Sequence, residues 1–148
     1  MKNIYLDNAA TTEIDIEVID VMVKTMRNNF GNPSSIHSEG RKTRSLIEKS
    51  RKKIADLLNS SPSEIFFTSG GTEADNMAIR GAVRDAGVRH IITSKIEHAA
   101  VINTVANLES KKKVTTSFVK LNEDGEIDLE NLEYLFLNLS IRPAVSTN

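Results

Sequence analysis

Four residues in a row, Ser69-Gly70-Gly71-Thr72, offer backbone amides and hydroxyls at a point where an apolar run, Ile65-Phe66-Phe67-Thr68, hands over to a helical pattern beginning near Glu73. The start of a helix presents unpaired N–H groups and the positive end of its dipole, and glycine lets a ligand approach the backbone closely, so this turn suits a phosphate. It lacks the lysine of a P-loop and the GxGxxG spacing of a dinucleotide site, which leaves a phosphate without a nucleotide as the better fit. The same four residues also read as a tight strand-to-helix turn with Thr72 as cap, and local features divide evenly between the two readings. Glu73 and Asp75 complement the helix dipole and should face away from any bound anion.

His98, preceded by Glu97, follows a second apolar strand, at the end of an α/β sheet where ligands collect. A neutral imidazole there can stack on a planar heteroaromatic ring and exchange protons near neutral pH, or it can simply cap a helix at the surface. His37 and His90 read as structural, and no metal-ligand spacing links the three histidines.

The elements that must position these groups alternate as α/β units. Ile4-Tyr5-Leu6 is extended and ends in a turn at Asp7-Asn8. Ile16, Ile19, Val23 and Met26 recur at helical spacing over about 15–29, with Asp15 as cap. Gly31 to Ser35 break the pattern, and a long charged helix follows whose face is marked by Ile47, Ile54, Leu57 and Leu58, ending at Ser60-Ser61-Pro62. Beyond the strand at 65–68 and its helix, a second unit pairs a strand at His90–Ser94 with a helix over Ala99–Leu108. Val114–Val119 is a third strand, Asn122–Gly125 a turn, and Leu129 to Phe136 a last short helix.

Composition bounds what such a chain can be. At 148 residues it is long enough for one domain with a sizeable core, and its 39% hydrophobic and 26% charged residues fall in the ordinary globular range. A net charge of −1 gives no field for nucleic acid or an anionic membrane, so an anion site must be local. Lys111-Lys112-Lys113 is a basic cluster that reads as a solvated helix end, with no interleaved aromatics to stack bases. There is no cysteine, hence no disulfide, thiolate metal site or sulfur nucleophile from this chain. The apolar residues after Met1-Lys2-Asn3 are too few for a signal segment or membrane span, so the expected setting is the cytoplasm.

Four stretches in order, Tyr5 to Thr12, Phe30 to His37 with Gly40-Arg41, Phe67 to Asn76, and Thr93 to His98 with Ala100-Val101, resemble the successive N-terminal signatures of cysteine desulfurases. The resemblance is to the group serving nitrogen fixation and iron–sulfur assembly, within the class V aminotransferase superfamily, and it covers roughly residues 3–135. The run Ser69 to Asn76 looks less like the sulfur-mobilisation branch. The resemblance implies a partial fold-type-I α/β architecture dependent on pyridoxal 5′-phosphate (PLP), with N-terminal helices and part of the large-domain sheet. It also implies a homodimer that converts L-cysteine to L-alanine and an enzyme-bound persulfide, which a sulfur-acceptor scaffold protein can receive.

Carried over by motif, Gly71 and Thr72, with Ser69 and Gly70, would bind the PLP phosphate, and His98 would stack on the pyridine ring and assist proton transfer. Asn8, Ala10 and Thr11 would lie near the substrate end, and Asn32 to His37 near the active site and dimer interface. The family's Schiff-base lysine, pyridinium-pairing aspartate and nucleophilic cysteine have no counterpart in residues 1–148. Leu139-Ser140-Ile141 is faintly similar to the family's next strand, but Arg142 to Asn148 depart from it, so about 137–148 reads as a divergent tail on one N-terminal portion of a PLP domain.

The expectation from that loss of register is a truncated or frameshifted product, inactive alone, whose unpaired strand edges favour aggregation or pairing with another chain. A non-catalytic module that pairs with a full-length relative, and a phosphate-binding α/β domain of another class, stand as the alternatives.

Overall fold

A computed structural model describes residues 4–140 and divides the chain into two compact units, Met1–Phe66 and Phe67–Asn148. Arg142 to Asn148, most of the expected tail, lie outside the described residues, while Leu139 and Ser140 continue a helix and form no strand.

In the first unit the chain turns at Asp7, whose carbonyl accepts the amides of Ala10 (3.1 Å) and Thr11 (3.3 Å). Helix α1, Ile16–Asn28, begins where expected because the Asp15 carboxylate accepts the Glu17 amide at 2.8 Å. Most of its apolar positions stay uncovered, Ile16 at 67% and Met26 at 66% exposed, while Val23 is half-buried. Helix α2, Ser38–Leu57, is capped by His37, whose Nδ1 accepts the Gly40 amide at 3.4 Å. A side chain at Gly40 would strike the carbonyls of Asn32 and Ser35, so only glycine lets the breaker loop fold onto the start of α2. The apolar face expected of α2 is not buried: Leu57 and Leu58 are exposed, and Ala55 and Gly40 are its buried residues. A 3-10 turn at Pro62–Glu64 follows, closed by a reciprocal capping box between Ser61 and Glu64.

Helix α3, Gly71–Arg84, opens the second unit, followed by strand β1 (His90–Thr93), helix α4 (Ala99–Ser110), strand β2 (Thr115–Phe118) and helix α5 (Leu129–Ser140). The two strands pair in parallel, His90 opposite Thr115 through Thr93 opposite Phe118, with α4 as the crossover between them. Both nitrogens of His90 meet β2 hydroxyls, Nδ1 at 2.7 Å from Thr115 and Nε2 at 3.0 Å from Ser117, which gives this histidine the structural role read from sequence.

Ala100, Thr104 and Leu108, with Val105, form the buried stripe of α4 at helical spacing. Leu108 packs with Val83 of α3 and Val114 before β2, and Ile79, Val88 and Ile91 lean on that cluster. Truncating Leu108 to alanine would cost about 2–5 kcal/mol if the site does not collapse.

The strand expected at Ile65–Thr68 is not formed. The segment is extended at Ile65, but no described strand offers it a ladder, and an apolar run becomes a strand only when a neighbour accepts its hydrogen bonds. The same shortage of sheet limits the core: two strands make a narrow floor, and none of the described large side chains is fully buried, although the length permits a sizeable core. Lys111 and Lys112 close α4, the latter at φ 53°, so the basic cluster is a helix end as expected. No helix among the described residues is long and apolar enough to cross a membrane, and no cluster of described side chains has the make-up of a metal site.

Candidate functional site

The first hydrogen bond of α3 runs from the Ala74 amide to the Gly70 carbonyl at 3.1 Å, which leaves the amides of Gly71, Thr72 and Glu73 outside the helical ladder. The cap is Gly70, in extended backbone and with no side-chain cap bond, so the capping role read for Thr72 is not realised. Neither glycine is demanded by its own chain: a Cβ at Gly70 or Gly71 would meet nothing within 4 Å, and neither lies in the left-handed region of φ. Sterics within the chain thus do not explain the pair as a tight turn. Open space in front of unpaired amides is what a bound anion requires.

Glu73 departs from expectation. Its carboxylate turns back toward the glycine turn and accepts both the Ser69 amide (2.6 Å) and the Ser69 hydroxyl (2.7 Å). The reason is local: Ser69 presents two donors one helical turn ahead of a flexible acid, and a carboxylate at a helix start satisfies both. Ser69, a predicted phosphate donor, is therefore already engaged, and the amides of Gly71 and Thr72 are among the donors that remain in the turn.

The Ser69 amide, and after it the Ser69 hydroxyl, hold the Glu73 carboxyl below its ordinary value of 4.5. A depressed carboxyl stabilises this clasp fully above 4.5 and loses it as pH falls through the lowered value. We expect the Ser69 amide resonance to titrate with a midpoint below 4.5 and to stop doing so in Glu73→Gln. A midpoint at or above the ordinary value would contradict the clasp.

His98 caps α4: its Nδ1 accepts the Ala100 amide at 3.1 Å. The capping alternative from sequence is therefore real, but it does not exhaust the ring. An Nδ1 that accepts a hydrogen bond carries a lone pair, so in the neutral imidazole the proton sits on Nε2. The cap fixes the tautomer and leaves an exposed ring with a donor at its far edge.

Helices α3 and α4 bring the two features to one end. Thr104 Oγ1 donates to Asn76 Oδ1 at 2.8 Å, and further along both helices an Arg80 NH1 to Asn107 Oδ1 bond of 3.4 Å joins them again. Contacts that advance together mean the helices run parallel. Asn76 lies five residues after Gly71, and Thr104 five after Ala99, so the two N-termini are level. Packed helices lie about 8–10 Å apart, the span of one small molecule. Because α4 follows β1, this level end is the carboxyl end of the sheet.

Asn8, Ala10 and Thr11 lie in the first unit. Asn8 and Thr11, with Tyr5, Thr12 and Glu13, line a cavity of about 670 Å³ there, and Ala10 sits in the adjoining turn. Asn76 and Thr104, which set the register of α3 on α4, were not singled out in the sequence: an Asn and a Thr inside helices carry no pattern that says they will meet.

A parallel α/β unit with two helix N-termini level at the carboxyl end of its strands has the arrangement in which α/β proteins place their ligands. The model for the class-V aminotransferase family matches residues 4–139, and the chain belongs to that family. It is 52% identical over 113 residues to the cysteine desulfurase IscS of Methanosarcina thermophila, an alignment covering 74% of this chain and 28% of the relative. It is 44% identical over 136 residues to the putative cysteine desulfurase IscS 1 of Bacillus subtilis, covering 90% of this chain and 35% of that one. Among solved structures, a NifS-like protein superposes with a TM-score of 0.78 at 39% identity, over 86% of this chain and 35% of the other. A protein described as SspA in complex with cysteine gives 0.75 at 35% identity, over 91% and 38%. The chain thus spans about a third of the length of the relatives it matches.

Proposed function

We propose that this chain supplies the phosphate and ring contacts of a PLP site in a cysteine desulfurase. The amides of Gly71 and Thr72, with Gly70 leaving the approach open, would receive the phosphate. Ser69 would join them only if Glu73 released it. His98, its tautomer set by the cap, would lie over the pyridine ring and present the Nε2 proton toward a reacting group. Asn8, Ala10 and Thr11 would serve the substrate end. When bound, the cofactor supplies an electron sink for bonds broken in the substrate, and the chain's part is to hold and orient it.

L-cysteine is the substrate we infer, supported by the names of the relatives and by the cysteine complex of SspA. A homodimer, and a scaffold protein that accepts the sulfur, belong to the same reading, as does a cytoplasmic setting. We infer further that residues 1–148 form the N-terminal portion of one PLP domain, diverging after about residue 137, and that this portion alone is not active.

The observation that supports the proposal is the level placement of the α3 and α4 N-termini, which would let free amides and an oriented imidazole meet one small ligand. Equilibrium dialysis of the chain against PLP tests it. We expect weak binding that inorganic phosphate displaces; PLP uptake indifferent to phosphate would contradict it.

The alternative of a non-catalytic pairing module is favoured by α1, most of whose apolar positions are exposed. Its test is co-purification with a full-length relative that an Ile16→Lys, Met26→Lys double substitution abolishes; retention of the complex would count against it.

A further inference from the structure

One side chain joins the two halves of the candidate site without touching the ligand space itself. Asn76 Nδ2 donates to the Thr72 carbonyl at 2.9 Å, so it fastens the residue whose own amide faces the phosphate position. Its Oδ1 accepts from Thr104 Oγ1 at 2.8 Å and from Arg80 Nε at 3.0 Å. The orientation of the amide is unambiguous: a carbonyl can only accept and an arginine can only donate, so Nδ2 must face Thr72 and Oδ1 must face Arg80.

Thr104 is 3% exposed and is one of the few polar side chains buried among the described residues. A helical threonine ordinarily bonds back to a carbonyl of its own helix. Here the hydroxyl crosses to α3. A buried hydroxyl is costly without a partner, so this contact ties the register of α4 to Asn76.

We propose that Asn76 is a positioning residue for a phosphorylated planar ligand. Holding the Thr72 carbonyl with its nitrogen and the Thr104 hydroxyl with its oxygen, it keeps the Gly71 and Thr72 amides level with the His98 ring. One molecule then meets both. The inference rests on the proposed PLP site and deepens it: bare phosphate needs only the α3 amides, whereas a ligand that also carries a ring needs the two helices in register. Loss of Asn76 therefore changes discrimination between these ligands as well as affinity.

The test uses the full chain, with inorganic phosphate and 4-deoxypyridoxine 5′-phosphate as probes. The latter has the cofactor's ring and phosphate but no aldehyde, so surface lysines cannot capture it. Calorimetric titration gives the ratio of the two affinities. In Asn76→Ala the preference for the ring-bearing probe should fall by about 5–10-fold, which lies within the coupling expected between contacting residues. The shift of the His98 ring protons on adding that probe should also be lost.

Thr104→Val, nearly isosteric and lacking the hydroxyl, should reproduce both effects, and Thr104→Ser should restore them. An unchanged ratio overturns the inference, whether both affinities persist or both fall together, since a merely structural role loosens the site for either probe alike. Wild-type chain that binds neither probe overturns the PLP reading itself, and this inference with it. That outcome is distinct, because it appears before any variant is made.

Discussion

Gly71→Asp is expected to lower phosphate-competed PLP binding at least tenfold. The expectation follows from what the fold tolerates as well as from what the ligand demands. A Cβ at residue 71 meets nothing of the chain within 4 Å, and the position needs no positive φ, so aspartate enters without a clash. An acid in the first turn of a helix also suits the dipole, so α3 should be no less stable. The added carboxylate would, however, occupy the open space before the Gly71 and Thr72 amides and oppose a phosphate at close range. Like charges about 4 Å apart repel by roughly 4 kcal/mol at an effective dielectric of 20, before salt screens them. Gly71→Ala separates the two contributions: it brings the bulk without the charge and should cost less. Binding unaltered in Gly71→Asp, with the far-ultraviolet spectrum also unaltered, would place the phosphate elsewhere.

The second large effect concerns chemistry. Incubated with PLP and L-cysteine, the chain should release alanine and sulfide no faster than the free cofactor does, and mass spectrometry should find no persulfide on it. It has no cysteine, so it has no thiolate to attack sulfur, and covalent catalysis fails at the step that defines it. The proposed cradle and imidazole would bind and orient, but they offer no acceptor for the sulfur atom. Alanine formed above the cofactor background would show that this account of the chain's part in the reaction is wrong.

Features fixed by a few neighbouring residues could be read in advance. The Asp15 cap, the glycine turn, the strands at 90 and 115 and the helix between them follow from local hydrogen bonding and periodicity, and the structure has them all. What depends on a distant partner could not. Ile65-Phe66-Phe67-Thr68 has the composition of a strand, yet strand formation is decided by a neighbour, and none pairs with it among the described residues.

The apolar marks on α2 failed for a similar reason: periodicity says which positions share a face, not whether anything covers it. Glu73 turns back to the glycine turn because two Ser69 donors lie within its reach, a contact that repulsion from a phosphate alone does not predict. The level N-termini, on which the functional reading depends, rest on Asn76 meeting Thr104, an encounter that no pattern in the linear chain announces.

The most direct measurement of the central claim is intermolecular nuclear Overhauser contact in the chain saturated with 4-deoxypyridoxine 5′-phosphate. The account predicts cross-peaks between the His98 ring protons and the pyridine methyl groups, together with shifts of the Gly71 and Thr72 amides that inorganic phosphate reproduces. Amide shifts without any contact to His98, or contact to His98 with those amides silent, would contradict it.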